Sequence, residues 1–241
     1  MTSCHPILLV STPPRGQEMS ARLQPLDVTP LLAADLAEAE AVLAKAGTPV
    51  AAALIDLALV DRNLKGCLKR LRRHAPTTGM TFVAFGAAPE RATRKTLRSA
   101  GVSLGLWEPI DEGVLRFQIN RALNGSREGH GRSSPRVPTF LVARVHGGGR
   151  TKDAVVYSLS ETGAFLETPR ASMDGAQVEI EMNLPGQALR LSGKVVFSNV
   201  PGNLQRPNLP LGMGVRFGEM SRDERKRIAE FVDDRAQQLN L

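Results

Sequence analysis

Two arginines four positions apart, Arg132 and Arg136, stand in a segment rich in Gly, Ser and Pro. A guanidinium group is a planar fork of N–H donors, so it can hold a phosphate through two hydrogen bonds and can also lie on the face of a purine ring. Lysine offers a point charge without this geometry. The pair therefore indicates a site for a compact phosphate-bearing ligand, although arginines in linkers are usually solvated charges.

A second polar segment starts 22 residues after Arg136, at Ser158, and continues through Ser160 to Gly163. It separates two stretches with the alternating pattern of strands, so it predicts a turn that carries hydroxyl groups. Glycine at its end permits an unusual backbone conformation or the close approach of a ligand. Such turns are usually only turns, so neither segment identifies a site by itself.

Short apolar runs alternate with helical patterns over residues 6–123. The predicted strands cover 7–10, 28–32, 50–57, 81–85 and 103–107, and the predicted helices cover 15–23, 35–45, 64–73, 90–99 and 112–123. This alternation predicts parallel strands joined by helical crossovers, hence a doubly wound α/β sheet whose functional crevice lies beyond the carboxyl ends of its strands. Asp56 falls at such an end.

The pattern changes after a linker-like segment, residues 125–138. Six short strands with turn signals follow, at 140–145, 154–159, 164–168, 177–182, 188–199 and 213–217. They predict an antiparallel barrel or sandwich. A helix from Ser221 to Leu239 closes the chain, because Ser221 and Glu224 form a capping box and four apolar residues share one face: Ile228, Phe231, Val232 and Leu239. We predict an N-terminal domain over 1–124, a linker over 125–138 with the arginine pair, and a C-terminal domain over 130–241.

The first half resembles the flavodoxin-like (βα)5 receiver domain of two-component response regulators, with Asp56 in the place of the phospho-accepting aspartate. The resemblance implies an acidic pair that holds Mg²⁺, a hydroxyl residue after the fourth strand and a Lys before a Pro after the fifth. This sequence has Ser11–Thr12, Gly86 and Glu108–Pro109 in those places. Neutral side chains offer Mg²⁺ no carboxylate, and Glu108 would repel phosphoryl oxygens. We therefore predict a pseudo-receiver that binds no metal and is not phosphorylated.

Residues 130–238 resemble the PilZ family of cyclic di-GMP receptors. The family pattern is R-x-x-x-R, then [DN]-x-S-x-x-G, then a late strand such as Gly214–Phe217, then a closing helix. The resemblance implies a PilZ-like barrel with cyclic di-GMP at its entrance. The residues that the resemblance places in that site are Arg132, Arg136, Ser158, Ser160 and Gly163.

Ser158 departs from the family pattern, which has Asp or Asn at this position. A carboxylate accepts the N–H groups of a guanine edge in pairs, whereas one hydroxyl accepts less. Loss of a bidentate base contact costs about 1 to 3 kcal/mol, or one to two decades of affinity. Weakened binding is therefore expected rather than none.

These resemblances imply a non-enzymatic cyclic di-GMP receptor that couples nucleotide binding to an unidentified protein partner. Family members typically control motility, adhesion or exopolysaccharide. Two alternatives stay open: an interaction scaffold that binds no nucleotide, and a phosphorylatable response regulator with a PilZ output. No Ser/His/Asp set or metal spacing suggests an enzyme, and no helix-turn-helix suggests a transcription factor. Receiver-like domains often dimerise, so a homodimer is compatible with the sequence.

Composition favours a globular protein, with 42% hydrophobic and 23% charged residues in 241. The longest apolar stretch is Val50–Val60, short of the roughly 18 residues of a membrane span, and no signal peptide is evident. Two isolated cysteines, Cys4 and Cys67, indicate free thiols. We therefore expect a cytoplasmic protein without membrane insertion.

The net charge of +7 suggests an anionic partner. The excess is divided almost evenly, since residues 1–125 carry +4 and residues 126–241 carry +3. The densest basic run, Lys69–His74, has the spacing of a solvated helix face. On this evidence nucleic acid is not favoured as a partner.

Overall fold

The computed structural model describes residues 5–60, 63–76, 79–124, 135–204 and 209–241. Arg132 and Cys4 therefore lie outside the described residues. The chain forms two compact units, one of Met1–Gly131 with Leu239–Leu241 and the other of Arg132–Gln238. No helix in the described ranges has both the length and the apolar character needed to cross a membrane.

The first unit alternates strands and helices as predicted. Its elements are β1 (His5–Val10), α1 (Pro13–Leu23), β2 (Val28–Ala33), α2 (Leu36–Lys45), β3 (Ala52–Asp56), α3 (Leu64–Leu71), β4 (Thr81–Gly86), α4 (Arg91–Ala100), β5 (Leu104–Trp107) and α5 (Glu112–Leu123). The strands form one parallel sheet in the order β2-β1-β3-β4-β5. This is the flavodoxin-like order, which confirms the predicted fold class.

The central strands are apolar on both faces because helices cover both sides of a parallel sheet. All five residues of β3 are buried, including Asp56. Helices α2, α3 and α4 share one face, since their buried residues belong to one apolar cluster with the sheet. The predicted cap of α2 is confirmed: Asp35 accepts from the N–H groups of Ala37 and Glu38.

The second unit consists of six antiparallel strands and one helix. These are β6 (Val137–Gly147), β7 (Arg150–Ser160), β8 (Gly163–Glu167), β9 (Gln177–Leu184), β10 (Gln187–Asn199), β11 (Gly212–Phe217) and α6 (Arg222–Leu239). The strands close into a barrel in the order β10-β11-β8-β7-β6-β9. Of the two predicted architectures, the barrel is therefore correct. Each of these six strands pairs with two neighbours.

Local signals in the sequence account for much of this unit. Gly148 and Gly149 have φ of 58° and 72°, as a two-residue hairpin between β6 and β7 requires. Helix α6 begins at the predicted capping box, where the N–H of Glu224 donates to the Ser221 hydroxyl and the N–H of Ser221 donates to the Glu224 carboxylate. The buried face of α6 joins the barrel core through three residues, Ile228, Val232 and Ala236. Leu239, which the sequence placed on that face, belongs instead to the first unit.

Candidate functional site

Arg136 directly precedes β6 and lies beside the end of β7, where Pro138 pairs with Ser158. Its Nη1 donates to the Ser158 hydroxyl at 3.4 Å, a long hydrogen bond. Ser158 is only 3% exposed, whereas Arg136 is partly exposed. Arg136 is therefore the more exposed residue of the pair, and the Ser158 hydroxyl helps to orient its guanidinium.

The turn between β7 and β8 is stabilised by a hydrogen bond between two of its own residues. The Ser160 hydroxyl donates to the carbonyl oxygen of Gly163 at 3.0 Å, and Ser160 is 3% exposed. A Cβ on Gly163 would lie 2.3 Å from the carbonyl oxygen of Val215 in β11. Gly163 is therefore required by the approach of a neighbouring strand, whereas the sequence left open an unusual backbone conformation or a close ligand.

The predicted site residues within the described ranges lie at one end of the β6–β7–β8 surface. Arg136, Ser158, Ser160 and Gly163 are brought together there. Arg132 lies outside the described residues. The sequence spacing of 22 residues between Arg136 and Ser158 corresponds to one antiparallel hairpin, which returns β7 to the start of β6.

Two further basic residues, Arg216 and Lys194, continue this site across the barrel. Gly163 pairs with Arg216 of β11, and Arg216 pairs with Lys194 of β10. Continuing the β6–β7 register places Arg136 opposite Ser160. The inward residues beside each position belong to the barrel core, so the five face outward. They form a row that starts just before β6 and crosses four strands: Arg136, Ser160, Gly163, Arg216 and Lys194. We call it the cationic row.

The cationic row has small residues in its middle and cations at its ends. Ser160 and Gly163 contribute almost no side-chain volume, while Arg216 and Lys194 are exposed on one side and Arg136 is partly exposed on the other. Such an arrangement can hold an anion with separated negative groups. In the sequence, Arg216 belongs only to the late strand of the family pattern, and nothing points to Lys194. The reason is that neighbours across strands are not visible in a sequence.

An aromatic row lies next to this site and was also missed. Its four rings are those of Phe140, Tyr157, Phe165 and Phe197, with centroids 5.7 to 6.0 Å apart between successive members. Phe165 pairs with Ser158, and a register shift between Val156 and Ser158 makes Tyr157 the extra residue of a bulge. Edge-to-face and stacked rings at these distances are stabilising, so the aromatic row supports the strand that carries Ser158.

The carboxylate of Asp56 is fully engaged at the end of β3. The Ser11 hydroxyl donates to its Oδ2 at 2.8 Å, and the N–H of Ala58 donates to its Oδ1 at 3.0 Å. Arg15 places its Nε 3.5 Å from the same Oδ2. Asp56 is 1% exposed, and its carboxylate is surrounded by these three groups of the protein.

Arg15 also forms an ion pair with Glu108, at the position where receivers carry lysine. Gly86 leaves room for it, because a Cβ there would lie 3.3 Å from Nη2 of Arg15. The guanidinium carbon lies 5.4 Å from the centroid of the Phe85 ring. A side chain of the protein thus supplies the positive charge between two carboxylates. Nothing in the sequence pattern pointed to Arg15, which lies 41 positions from Asp56.

Residues 131–234 match the family described as PilZ domain. The C-terminal unit contains a PilZ domain. Several solved structures are similar to parts of the chain. The Bacillus subtilis inhibitor of motility MotI/DgrA is 12% identical with a TM-score of 0.38, and the match covers 44% of this chain and 51% of that one. The chain therefore spans about half the length of that protein. No curated protein sequence matches significantly.

Two further structures are similar, one to each half. A two-component response regulator from Clostridium difficile is 17% identical with a TM-score of 0.42, over 50% of this chain and 96% of that one. The Borreliella burgdorferi PlzA protein, solved in complex with c-di-GMP, is 12% identical with a TM-score of 0.33, over 48% of this chain and 47% of that one.

The PilZ domain carries the cationic row on its outer surface, and the receiver-like unit carries the Arg15–Asp56 pair at its strand ends. In the described part of the chain no three His, Cys, Asp or Glu side chains come together as a metal site.

Proposed function

We propose that the protein is a non-enzymatic receptor for cyclic di-GMP and passes the binding event on to a protein partner. The observation that carries the proposal is the cationic row of the PilZ domain, in which basic side chains flank Ser160 and Gly163. The PlzA protein, whose structure is similar, was solved with c-di-GMP bound. A cyclic dinucleotide has two phosphates and two purines, which match separated cations beside a flat surface.

Arg136 is the central ligand contact in this proposal. Its hydrogen bond to Ser158 is long, at 3.4 Å, so this bond costs little to exchange for one to a phosphate. Charge-assisted hydrogen bonds from guanidinium to phosphate are about twice as strong as neutral ones. Arg132 of the same motif is expected to add a second guanidinium.

Ser160 and Gly163 act by being small. A Cβ at position 163 would lie 2.3 Å from the carbonyl oxygen of Val215, so only glycine lets β8 approach β11 this closely. Ser158 contributes less than the Asp or Asn of the family pattern, because one buried hydroxyl cannot accept two N–H groups of guanine. The affinity is accordingly expected to be lower than that of a receptor with the full motif.

The receiver-like unit serves as a pseudo-receiver in this proposal, with Asp56 held by Ser11 and Arg15 instead of being phosphorylated. The protein would then respond to the nucleotide alone. The domains we propose are 1–124 and 130–241, with the linker 125–138 between them. The expected setting is the cytoplasm, and the expected processes are motility, adhesion or exopolysaccharide control.

Isothermal titration calorimetry of the full chain with cyclic di-GMP tests the proposal. Arg136→Ala should weaken binding at least tenfold, whereas Arg144→Ala should leave it within about twofold. Arg144 is a matched control because it is exposed on β6, the strand that follows Arg136, and its substitution removes the same charge. No heat at high micromolar protein would overturn the receptor proposal.

A second candidate is an interaction scaffold that binds no nucleotide. It is favoured by the internal engagement of Ser158 and Ser160, which are both 3% exposed. In that case cyclic di-GMP produces no heat and Arg136→Ala behaves like the unaltered protein in cells.

A further inference from the structure

The positive charge of the first unit is concentrated in one part of the chain. Residues 62–107 carry ten Lys and Arg and a single acidic residue, Glu90. The rest of residues 1–125 carries five basic and ten acidic residues. The net charge is divided almost evenly between the two halves of the sequence, so this separation of charge within the first half is not visible in that division.

The structure gathers nine of these ten basic residues on two neighbouring helices and their ends. They are Lys65, Lys69, Arg70, Arg72, Arg73, Arg91, Arg94, Lys95 and Arg98. Helices α3 and α4 pack into the same apolar cluster on one face of the sheet. Their C-terminal ends are joined by Arg72, whose Nη2 donates to the carbonyl oxygen of Gly101 at 3.2 Å.

Three of the nine have clear structural roles. Arg70 forms an ion pair with Glu40 at 3.0 Å. The guanidinium groups of Arg72 and Arg94 lie over the rings of Phe82 and Trp107, at 4.9 and 5.5 Å from their centroids. These contacts fix the two arginines and leave the other basic residues unexplained.

The other six are exposed and form no ion pair with any described residue. They are Lys65, Lys69, Arg73, Arg91, Lys95 and Arg98, and we call them the α3–α4 basic face. Glu90 at the start of α4 does not pair with them. The charge of this face is therefore uncompensated and available to a partner.

The α3–α4 basic face disfavours its own helices. Lys65 and Lys69 are four residues apart, as are Arg91 and Lys95, and like charges at this spacing repel on a helix. Neither helix has an acidic residue in its first turn, and α4 begins with Arg91 at the positive end of the helix dipole. Lys69 and Arg98 lie in the last turns of α3 and α4, where a cation favours the helix dipole. Helix stability therefore accounts for only part of these charges, and the rest points to binding.

The surface also excludes partners that need apolar contacts. None of the exposed large hydrophobic residues in the described ranges lies on α3 or α4. Protein interfaces rely on buried aromatic or aliphatic anchors, and membrane-bound helices insert an apolar face. A phosphate backbone, by contrast, is bound by positive charge alone through counterion release.

We propose that the α3–α4 basic face binds the phosphate backbone of double-stranded nucleic acid without distinguishing base sequence. The binding constant K should fall as the salt concentration rises. With six cations, the slope of log K against log [salt] should be no steeper than about −5. This binding is separate from cyclic di-GMP recognition, because it uses other residues in another unit. The proposal also differs from the prediction made from the sequence, in which the similar charges of residues 1–125 and 126–241 did not favour nucleic acid as a partner.

Fluorescence anisotropy of the full chain with a labelled DNA duplex, without cyclic di-GMP, tests the proposal. Arg91→Gln, Lys95→Gln and Arg98→Gln are combined in one variant, which lowers the net charge of +7 by three. The control combines Arg222→Gln, Arg225→Gln and Arg227→Gln, which remove three exposed cations from α6. At about 50 mM salt the α4 variant should bind at least tenfold more weakly, with a slope smaller by about 2 to 3, and the control should stay within about twofold.

Three results would overturn the proposal. They are no binding to the duplex at low salt, an equal loss in both variants, and binding of polyglutamate or phosphatidylserine vesicles in place of the duplex. Two duplexes of unrelated sequence should bind within about twofold of each other. Circular dichroism distinguishes a binding defect from misfolding, because removing the like-charge pairs should leave the melting temperature of the α4 variant unchanged or higher.

Discussion

Nε of Arg15 lies 3.5 Å from Oδ2 of Asp56, at the carboxyl end of β3. The guanidinium stands between that carboxylate and Glu108, and Ser11 donates to the same Oδ2. Because the Arg15 guanidinium is part of the chain, it does not dissociate as a bound metal ion does. It also needs no pair of acidic residues to hold it. Arg15 thus balances the charge of two carboxylates at this end of the sheet.

Removing the Arg15 guanidinium should destabilise the first unit. Arg15→Ala leaves the buried Asp56 carboxylate without its cation, and Arg15 is itself one-third exposed, which reduces the loss to about 1 to 2 kcal/mol. Urea unfolding of the full chain measures the change. Lys45→Ala removes an exposed cation from the same unit as a control and should cost less than about 0.5 kcal/mol. Equal effects of the two substitutions would show that Arg15 is only a surface charge.

Asp56 should not accept a phosphoryl group. Its 1% exposure and its bonds to Ser11 and Ala58 leave no path for an incoming phosphate. Incubation with a small-molecule phosphodonor and Mg²⁺, followed by intact-mass measurement, should show no phosphoryl adduct. An adduct that disappears in Asp56→Asn would contradict the pseudo-receiver assignment.

Restoring the family residue at position 158 should tighten nucleotide binding. In Ser158→Asp the new carboxylate lies beside Arg136, whose Nη1 is 3.4 Å from the present hydroxyl, and it can accept two N–H groups of guanine. Calorimetry should show about a tenfold lower Kd for cyclic di-GMP. Ser158→Ala is the paired variant and should bind no more tightly than the unaltered protein. An unchanged Kd in Ser158→Asp would place the guanine elsewhere.

Arg216 should contribute to the same site. It is exposed on β11 and pairs with Gly163, so it lies next to the predicted ligand residues in the cationic row. Loss of one charge-assisted hydrogen bond to phosphate costs about 1.5 kcal/mol or more, so Arg216→Ala should weaken cyclic di-GMP binding about tenfold. Arg144→Ala again serves as the charge control. A normal Kd in Arg216→Ala would restrict the site to the β6–β8 surface.

The capping box of α6 should make its stability depend on pH. The Ser221 hydroxyl and N–H donate to the Glu224 carboxylate, which lowers the pKa of Glu224 below its ordinary 4.5. The contribution is therefore complete above that value and is lost as the pH falls through the lowered pKa.

Substitution of the cap isolates this effect. Ser221→Ala should cost about 1 kcal/mol at neutral pH in urea unfolding, and the difference should shrink in acid. Thr93→Ala removes an exposed helix hydroxyl that bonds no described residue and should show neither effect. If the free-energy cost of Ser221→Ala stays constant in acid, the stabilisation comes from the hydroxyl alone and not from the ionised carboxylate of Glu224.

The elements of both units were predictable because their signals are local. Apolar spacing, the caps at Asp35 and Ser221, and the Gly148–Gly149 turn act within a few residues of the backbone they organise. The strand ends differ from prediction by a few residues, since pairing with neighbouring strands extends β6 and β7. The concentration of positive charge over residues 62–107 is also present in the sequence. It does not show in the net charges of the two halves, because the acidic residues in the rest of the first half offset it.

The sequence by itself determined the two fold classes, the motif that marks the PilZ domain and the absence of acidic partners for Asp56. Only the tertiary structure decided that Arg15 faces Asp56, that Arg216 follows Gly163 in one row, and that α3 and α4 present a common basic face. The physical reason is the length scale of each interaction. Hydrophobic periodicity and capping are fixed over a few residues, whereas these contacts depend on strand order, register and bulges that bring distant residues together.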